Sequence, residues 1–153
     1  MAREVARFKR VLRVREVERD ISQSELAAKQ AEEERIVRKL NEAEAEKENA
    51  LADFCAERKR VVSPQELWFE RQNLDLMEAR LDTQKNELSK TRVEIEEQKS
   101  DLLEKHRSVQ LMGKHVDRLQ AIDFKKSIDA EQSNLDDITS MRYLRGFGKE
   151  AGA

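Results

Sequence analysis

The segment Val62-Ser63-Pro64-Gln65-Glu66-Leu67 decides the fold, because four rules of helix initiation agree on it. Ser63 is a good N-cap, since its hydroxyl can accept a hydrogen bond from the first helical turn, and Pro64 suits the first helical position. Glu66 can reach back to the N–H of Ser63, and the two flanking apolar residues form a hydrophobic staple. Because Pro64 disfavours helical geometry in the residue before it, a preceding helix must end near Val62.

This segment divides the chain into two predicted helices, about 3–61 and about 64–144, joined by a hinge at 62–64. The 153 residues include one Pro and four Gly, the first at Gly113, so the turn residues of sheet folds are missing from most of the chain. Three glycines after residue 145 predict a flexible tail over 146–153. We expect an all-α fold, a single domain that forms a long antiparallel two-helix coiled-coil hairpin.

An apolar residue recurs at every seventh position of the second helix. The series is Leu67, Leu74, Leu81, Leu88, Ile95, Leu102, Val109 and Val116. The position three residues further on is mixed: Glu70, Met77, Gln84, Thr91, Gln98, Lys105, Met112 and Leu119. A seven-residue period is typical of coiled coils, so we predict a seam with one apolar row and one partly polar row.

The first helix is less regular. One seven-residue spacing gives Val17, Ser24, Ala31, Arg38, Ala45 and Ala52, and another gives Val14, Ile21 and Ala28, followed by Ile36, Val37, Leu40, Leu51 and Phe54. Folding the chain back at Ser63 pairs residues whose numbers add up to about 125 or 126. The predicted pairs are Leu74–Leu51, Leu81–Ala45, Leu88–Val37, Ile95–Ala31, Leu102–Ser24 and Val109–Val17, so large residues oppose mostly small ones.

The second helix is predicted to extend beyond the first, because the first helix reaches only as far as about residue 122 of the second. Beyond that point the apolar residues continue at helical spacing: Phe124, Ile128, Leu135, Ile138 and Met141. A two-helix hairpin cannot cover this stripe, so it indicates a partner site, the alternative being a frayed helix with incidental apolar residues. The basic residues 1–19 also make this end a candidate docking surface, whereas the acid-rich residues 31–57 are interpreted as a solvated face.

No pattern in the sequence predicts catalysis, a metal or a cofactor. His106 and His115 lie nine residues apart, which is not the spacing of a helical metal-binding pair, and no Gly-rich phosphate loop is present. Cys55 is the single cysteine, and no apolar run is long enough for a membrane span or a signal peptide, so we expect a cytoplasmic protein. Trp68 and Phe69 near the hinge are either a partner anchor or local packing.

Two segments carry a family resemblance. In Phe8–Glu16 an aromatic residue and a basic cluster precede Val-Leu-Arg-Val-Arg-Glu, and Glu131–Ile138 reads Glu-Gln-Ser-Asn-Leu-Asp-Asp-Ile, with Asp117-Arg118-Leu119 between them. In this order the segments resemble the FliJ/YscO family, the central-stalk proteins of flagellar and injectisome type III secretion. The flagellar and the injectisome branch of the family both stay open, although the arginine-rich N-terminal segment slightly favours the injectisome branch.

The resemblance implies a non-enzymatic central stalk whose joined ends dock into the hexameric secretion ATPase, promote its assembly and activity, and link it to the export gate protein and to export chaperones. It implies a location in the cytoplasm, peripheral to the inner membrane and without membrane insertion. The expected ATPase-binding residues are Arg7, Phe8, Arg10, Val11, Arg13, Arg15, Leu135, Asp136, Ile138 and Arg142. The expected gate or chaperone contact consists of Trp68, Leu74 and Met77.

Two other interpretations of the function assign the chain to different classes of protein. A generic structural or adaptor coiled coil would homodimerise into a four-helix bundle, and solution mass separates it from a stalk, which tolerates a monomer. A nucleic-acid-binding hairpin would use the basic first turns, but the net charge of −2 and the few aromatic residues argue against it, so no nucleic acid is expected as a partner.

Overall fold

The structure, a computed structural model, describes residues 2–57 and 63–151. It consists of helix α1 (Ala2–Glu57) and helix α2 (Pro64–Ala151), which pack against each other as a hairpin. No strand occurs within these two ranges. The predicted all-α hairpin is therefore confirmed.

Ser63 caps α2 as predicted. Its Oγ accepts a hydrogen bond from the backbone N–H of Glu66 at 3.4 Å, and its carbonyl oxygen accepts from Glu66 and Leu67 at 3.1 and 3.3 Å. These bonds satisfy donors that a helix start otherwise leaves unpaired. Val62, which would complete the hydrophobic staple, and the predicted end of the first helix near residue 61 lie outside the described residues.

The end of α2 differs from the prediction. We expected the helix to stop near residue 144, with a flexible tail over 146–153, but α2 continues to Ala151 and includes Gly146 and Gly148. A glycine ends a helix when it adopts a left-handed conformation, and no glycine of the described ranges has a positive φ. Within a helix each glycine costs only about 1 kcal/mol relative to alanine, which does not end the helix by itself.

The chain divides into two units, to each of which both helices contribute. Unit 1 comprises Met1–Glu18 and Lys105–Ala153, and unit 2 comprises Arg19–Glu104. The buried apolar residues of unit 1 are Val5, Val109 and Val116. Those of unit 2 are Leu26, Leu81, Leu88 and Ile95, together with the buried hydroxyls of Ser22 and Thr91.

The seam of α2 follows the predicted spacing. Every member of the apolar series is buried or half-buried, and so is every member of the mixed series except Lys105, which is exposed. In the mixed series the side-chain oxygens of Gln84 and Gln98 are buried without a hydrogen-bond partner in the described part of the chain. One row of α2 therefore supplies most of the apolar packing, and the other row is partly polar.

Most of the face of α1 that packs against α2 is not the predicted one, although Ile36, Leu40 and Phe54 of the predicted apolar positions are half-buried. All members of the Val17 series are exposed, as are Val14, Ile21 and Leu51, so the predicted side-chain pairs are wrong except at Val37, which is half-buried. Two other seven-residue series are buried or half-buried along their whole length. They are Val5, Leu12, Arg19, Leu26, Glu33, Leu40, Lys47 and Phe54, and Phe8, Arg15, Ser22, Lys29, Ile36, Ala43 and Ala50.

Charged residues in these two series explain the error. Within unit 2, Lys29 Nζ lies 2.8 Å from Glu94, and Arg92 Nε lies 3.0 Å from Glu33 across the seam. Long side chains of this kind cover apolar residues with their methylene groups while the charged ends reach the rim. A search for apolar spacing passes over such positions and finds the exposed valines and alanines instead.

The predicted register is nearly right, although the face is not. The residue numbers add up to 123 for Lys29 with Glu94 and to 125 for Arg92 with Glu33, against the predicted 125 or 126. The hydrogen bond from Lys29 to Glu94, helped by the charge of Glu32, raises the pKa of Lys29 above its ordinary value. Because this pKa is raised, the contribution of Lys29 to stability is present at neutral pH and is lost only as the pH rises through the raised pKa.

Candidate docking surfaces

Two of the predicted ATPase-binding residues face α2 rather than solvent. The ring of Phe8 meets the ring of His115 edge to face, with centroids 4.7 Å apart, and Arg15 Nη1 donates a hydrogen bond to Ser108 Oγ at 2.7 Å. Both contacts lie within unit 1. Phe8 and Arg15 therefore hold the two helices together there, and Val11 is half-buried beside them.

The opposite face of α1 in unit 1 is basic and then apolar. Arg3, Arg7, Arg10, Val14 and Val17 follow one another at intervals of three or four residues, which places them on one side of a helix. All five are exposed, the two valines at 57% and 56%. The apolar spacing alone predicts that these valines belong to the seam, but their exposure shows that they lie outside it.

Arg13, also exposed, flanks this face. Of the predicted basic docking residues, Arg7, Arg10 and Arg13 are thus accessible.

The C-terminal part of α2 is exposed along its whole length from residue 124 to residue 148. The predicted residues Leu135, Asp136, Ile138 and Arg142 all lie in it and are accessible. Its large exposed apolar side chains are Phe124, Ile128, Leu135, Ile138, Met141, Tyr143, Leu144 and Phe147. The last three were not predicted from the sequence: Phe147 lies beyond the predicted end of the helix near residue 144, whereas Leu144 continues the three-residue spacing from Leu135 and could have been found by it.

The start of α2 exposes an aromatic pair. The rings of Trp68 and Phe69 meet edge to face with centroids 5.4 Å apart, and both side chains are more than half exposed. Leu74 and Met77, which were predicted to share a surface with Trp68, are half-buried members of the seam. Of the predicted gate or chaperone contact, Trp68 is therefore the accessible part, and Phe69 lies next to it.

No chemical site accompanies these surfaces in the described parts of the chain. Residues 2–57 and 63–151 contain no group of three or more His, Cys, Asp or Glu side chains that could hold a metal ion. Neither helix, over the ranges described, is apolar enough along its length to cross a membrane. What the molecule presents is charge and apolar area on helix surfaces, which is suited to binding other proteins.

Comparison with known families agrees with this picture. The family described as "Flagellar FliJ protein" matches residues 4–147, which is nearly the whole chain. The chain belongs to the FliJ family. No curated protein and no solved structure matches it.

Membership of the FliJ family identifies a flagellar export-related protein, a structural component of the export apparatus. The family named is the flagellar one, which does not support the slight preference for the injectisome that the arginine-rich opening suggested. The match includes both segments that carried the resemblance, Phe8–Glu16 and Glu131–Ile138.

Proposed function

We propose that this FliJ-family chain is a non-enzymatic central stalk of the export apparatus, and that the C-terminal part of α2 docks inside the ring of the hexameric secretion ATPase. The observation that carries this proposal is a row of exposed apolar residues at intervals of three. The row consists of Leu135, Ile138, Met141, Leu144 and Phe147. The row offers apolar surface to each ATPase subunit, and the chain thereby promotes the assembly and the activity of the ATPase ring.

The geometry of the row favours a partner that surrounds the helix. Three residues of an α-helix turn through about 300°, so the row from Leu135 to Phe147 winds through about 240° of the circumference. A helix that packs in one groove needs an apolar stripe only about 100° wide. A ring encloses a helix from all sides and can therefore cover a row that winds around it.

Arginines add a charged component to the proposed docking end. Arg7, Arg10 and Arg13 on α1 and Arg142 on α2 are exposed within unit 1, and Asp136 lies among the apolar residues. Guanidinium groups form bidentate pairs with carboxylates, so the matching ATPase surface is acidic. Phe8 and Arg15 support this surface by fixing α1 on α2 rather than by contacting the ATPase, and Val11 is half-buried between them in sequence.

The proposal assigns the exposed aromatic pair Trp68 and Phe69 to the export gate protein or to an export chaperone. Exposed aromatic residues are frequent anchors in protein interfaces, because they bury a large area at a small cost in conformational entropy. Leu74 and Met77 lie behind this pair in the seam and contribute through packing. A stalk in this position works in the cytoplasm, peripheral to the inner membrane.

The test measures the activity and ring assembly of the cognate secretion ATPase with and without the chain. We expect stimulation at less than one chain per ATPase subunit. In a variant with Leu135, Met141 and Leu144 changed to Ser, stimulation should fall at least about tenfold, which corresponds to about 1.4 kcal/mol of binding.

The matched control changes Leu76, Val93 and Leu103 to Ser. These residues are also apolar, also on α2 and similarly exposed, but they lie in unit 2. The control should stimulate as the natural chain does, and both variants should keep their helicity. Absence of stimulation by the natural chain would overturn the stalk function, and equal loss in both variants would overturn the assignment of the docking end.

A further inference from the structure

The last turns of α2 separate apolar residues from basic ones. Residues 141–147 contain four large exposed apolar side chains and two exposed arginines, and no aspartate or glutamate occurs between residues 138 and 149. The apolar residues are Met141, Tyr143, Leu144 and Phe147, and the arginines are Arg142 and Arg145. We refer to residues 141–147 as the C-terminal amphipathic segment.

The four apolar residues of this segment lie on one side of the helix. At about 100° per residue they fall within about 160° of the circumference, whereas the two arginines fall within about 60° on the other side. The ring centroids of Tyr143 and Phe147 are 5.2 Å apart, so the aromatic part of the apolar side is continuous. The row that begins at Leu135 winds around the helix as a whole, but its last three members share this side.

The amphipathic pattern does not extend towards the N-terminus of α2. Ile138 lies between the two arginines on the helix circumference, and Asp136 and Asp137 lie on the side that is apolar further on. A partner that covers only one side of the helix can therefore use residues 141–147 but not the turns before them. Such a partner is flat rather than enclosing.

Unit 1, which contains the C-terminal amphipathic segment, has an excess of positive charge. It contains fifteen Arg and Lys against ten Asp and Glu, whereas unit 2 contains fifteen against twenty-two. The net charge of the whole chain, −2, hides this difference. An excess of positive charge attracts a protein to an anionic surface, which indicates the chemistry of the flat partner.

We propose that the C-terminal amphipathic segment binds the surface of an anionic lipid bilayer. Met141, Leu144 and Phe147 enter the boundary between the headgroups and the acyl chains, and the Tyr143 hydroxyl stays among the headgroups. Arg142 and Arg145 reach back along the helix to the lipid phosphates. The helix lies parallel to the surface, because the seven residues are far fewer than the roughly 20 that span a bilayer.

The lipid contact goes beyond the proposed stalk function and does not depend on it. Met141, Leu144 and Phe147 also belong to the row assigned to the ATPase ring, so the ring and the bilayer compete for them. The ring covers the row from Leu135 onwards and gains apolar contacts that the bilayer does not reach. Chains bound to lipid are therefore a reserve at the membrane surface, from which a ring can take up the docking end.

The first measurement is flotation of the full chain with lipid vesicles at about 0.1 M salt. One set of vesicles is pure phosphatidylcholine, and the other contains about one-third phosphatidylglycerol. Binding to the anionic vesicles should be at least about tenfold stronger, because only they attract the arginines. Absence of binding to the anionic vesicles would overturn the proposal, and equal binding to both sets would overturn the role of the arginines. No ATPase is present, so the result leaves the stalk function untouched.

A pair of apolar substitutions identifies the segment. Leu144→Ser with Phe147→Ser should weaken binding to the anionic vesicles at least about tenfold, because two side chains lose their contact with the acyl chains. The matched control, Leu111→Ser with Phe124→Ser, changes the same residue types at exposed positions of the same helix and unit. The control should bind as the natural chain does. Equal loss in both variants would overturn the assignment to residues 141–147.

A pair of charge substitutions tests the basic side. Arg142→Ser with Arg145→Ser should weaken binding to the anionic vesicles about tenfold and leave binding to the neutral ones unchanged. Arg107→Ser with Arg118→Ser is the control, at exposed positions of α2 in unit 1. Equal weakening in the control would show that the net charge of the unit governs binding, and this would overturn the role of the segment.

The basic face of α1 is the competing lipid contact. Arg3→Ser with Arg10→Ser should retain most of the binding to the anionic vesicles, since these exposed residues lie on the other helix. Loss of binding in this variant, together with full binding by the variant of Arg142 and Arg145, would assign the lipid contact to α1 and overturn the proposal.

Discussion

Helix α2 contains two stretches that differ in the spacing of their apolar residues. From Leu67 to Val116 the interval is seven, and α1 lies against the resulting straight row. From Leu135 to Phe147 the interval is three, the row winds around the helix, and all five members are exposed. The first spacing fits the single helix that lies alongside it, and the second fits the enclosing surface that we propose for the secretion ATPase.

The largest expected effect contrasts one leucine from each stretch. Leu88 is 7% exposed and Leu135 is 63% exposed. Leu88→Asp should destabilise the hairpin by about 3–5 kcal/mol, because a charge is placed in the seam and apolar contacts are lost. Leu135→Asp should change stability by less than about 0.5 kcal/mol.

Thermal unfolding followed by circular dichroism measures both changes. Leu135→Asp serves as the control for Leu88→Asp, because it introduces the same residue into the same helix. Similar melting temperatures for the two variants would contradict the contrast between the stretches.

A smaller effect concerns the polar row of the seam. The side-chain oxygen of Gln98 is buried without a hydrogen-bond partner in the described part of the chain. Gln98→Leu should therefore stabilise the hairpin by about 1–2 kcal/mol, since the cost of desolvating an unpaired amide disappears. Urea titration measures the gain, and Gln120→Leu at an exposed position of α2 is the control. A loss of stability would show that the amide of Gln98 is satisfied.

A still smaller effect compares glycines in the two stretches. A Cβ atom at Gly113 or Gly146 would meet nothing within 4 Å. Gly113→Ala should stabilise the hairpin by about 0.5–1 kcal/mol, because alanine restricts the unfolded chain and favours the helix. Gly146→Ala should contribute less, since helix ends fray independently of the seam. The midpoints of unfolding of the two variants test which substitution stabilises the hairpin more. A destabilised Gly113→Ala variant would contradict the absence of neighbouring atoms around Gly113.

The smallest expected effect tests enclosure directly. One alanine inserted between Ala130 and Glu131 rotates everything after it by about 100° about the helix axis. An enclosing partner tolerates this rotation, so stimulation of the ATPase should change by less than about threefold, or about 0.65 kcal/mol. One alanine inserted between Ser89 and Lys90 is the contrasting variant, since it breaks the seven-residue series and should unfold part of the hairpin. Complete loss of stimulation by the first insertion would indicate a single docking groove.

The sequence was sufficient for the fold because its strongest signals are local. Ser63 and Pro64 define a helix start, and the leucine series of α2 defines a seam. The packing face of α1 could not be predicted, because Arg15, Lys29 and Glu33 occupy seam positions and their role depends on partners that are distant in sequence. The two halves of the candidate site differ in the same way: Leu135 and Ile138 are exposed as expected, whereas Phe8 and Arg15 contact α2.

The charged seam positions of α1 also have a consequence during synthesis on the ribosome. α1 is made first, and its packing face contains Arg19, Glu33 and Lys47, so the nascent helix stays solvated without a partner. The leucines that close the hairpin follow later, and pairs near Ser63, such as Lys47 with Glu78, require the shortest loops. The exposed apolar row from Leu135 to Phe147 is made after both helices can pair near Ser63, so α1 can be covered before this row emerges.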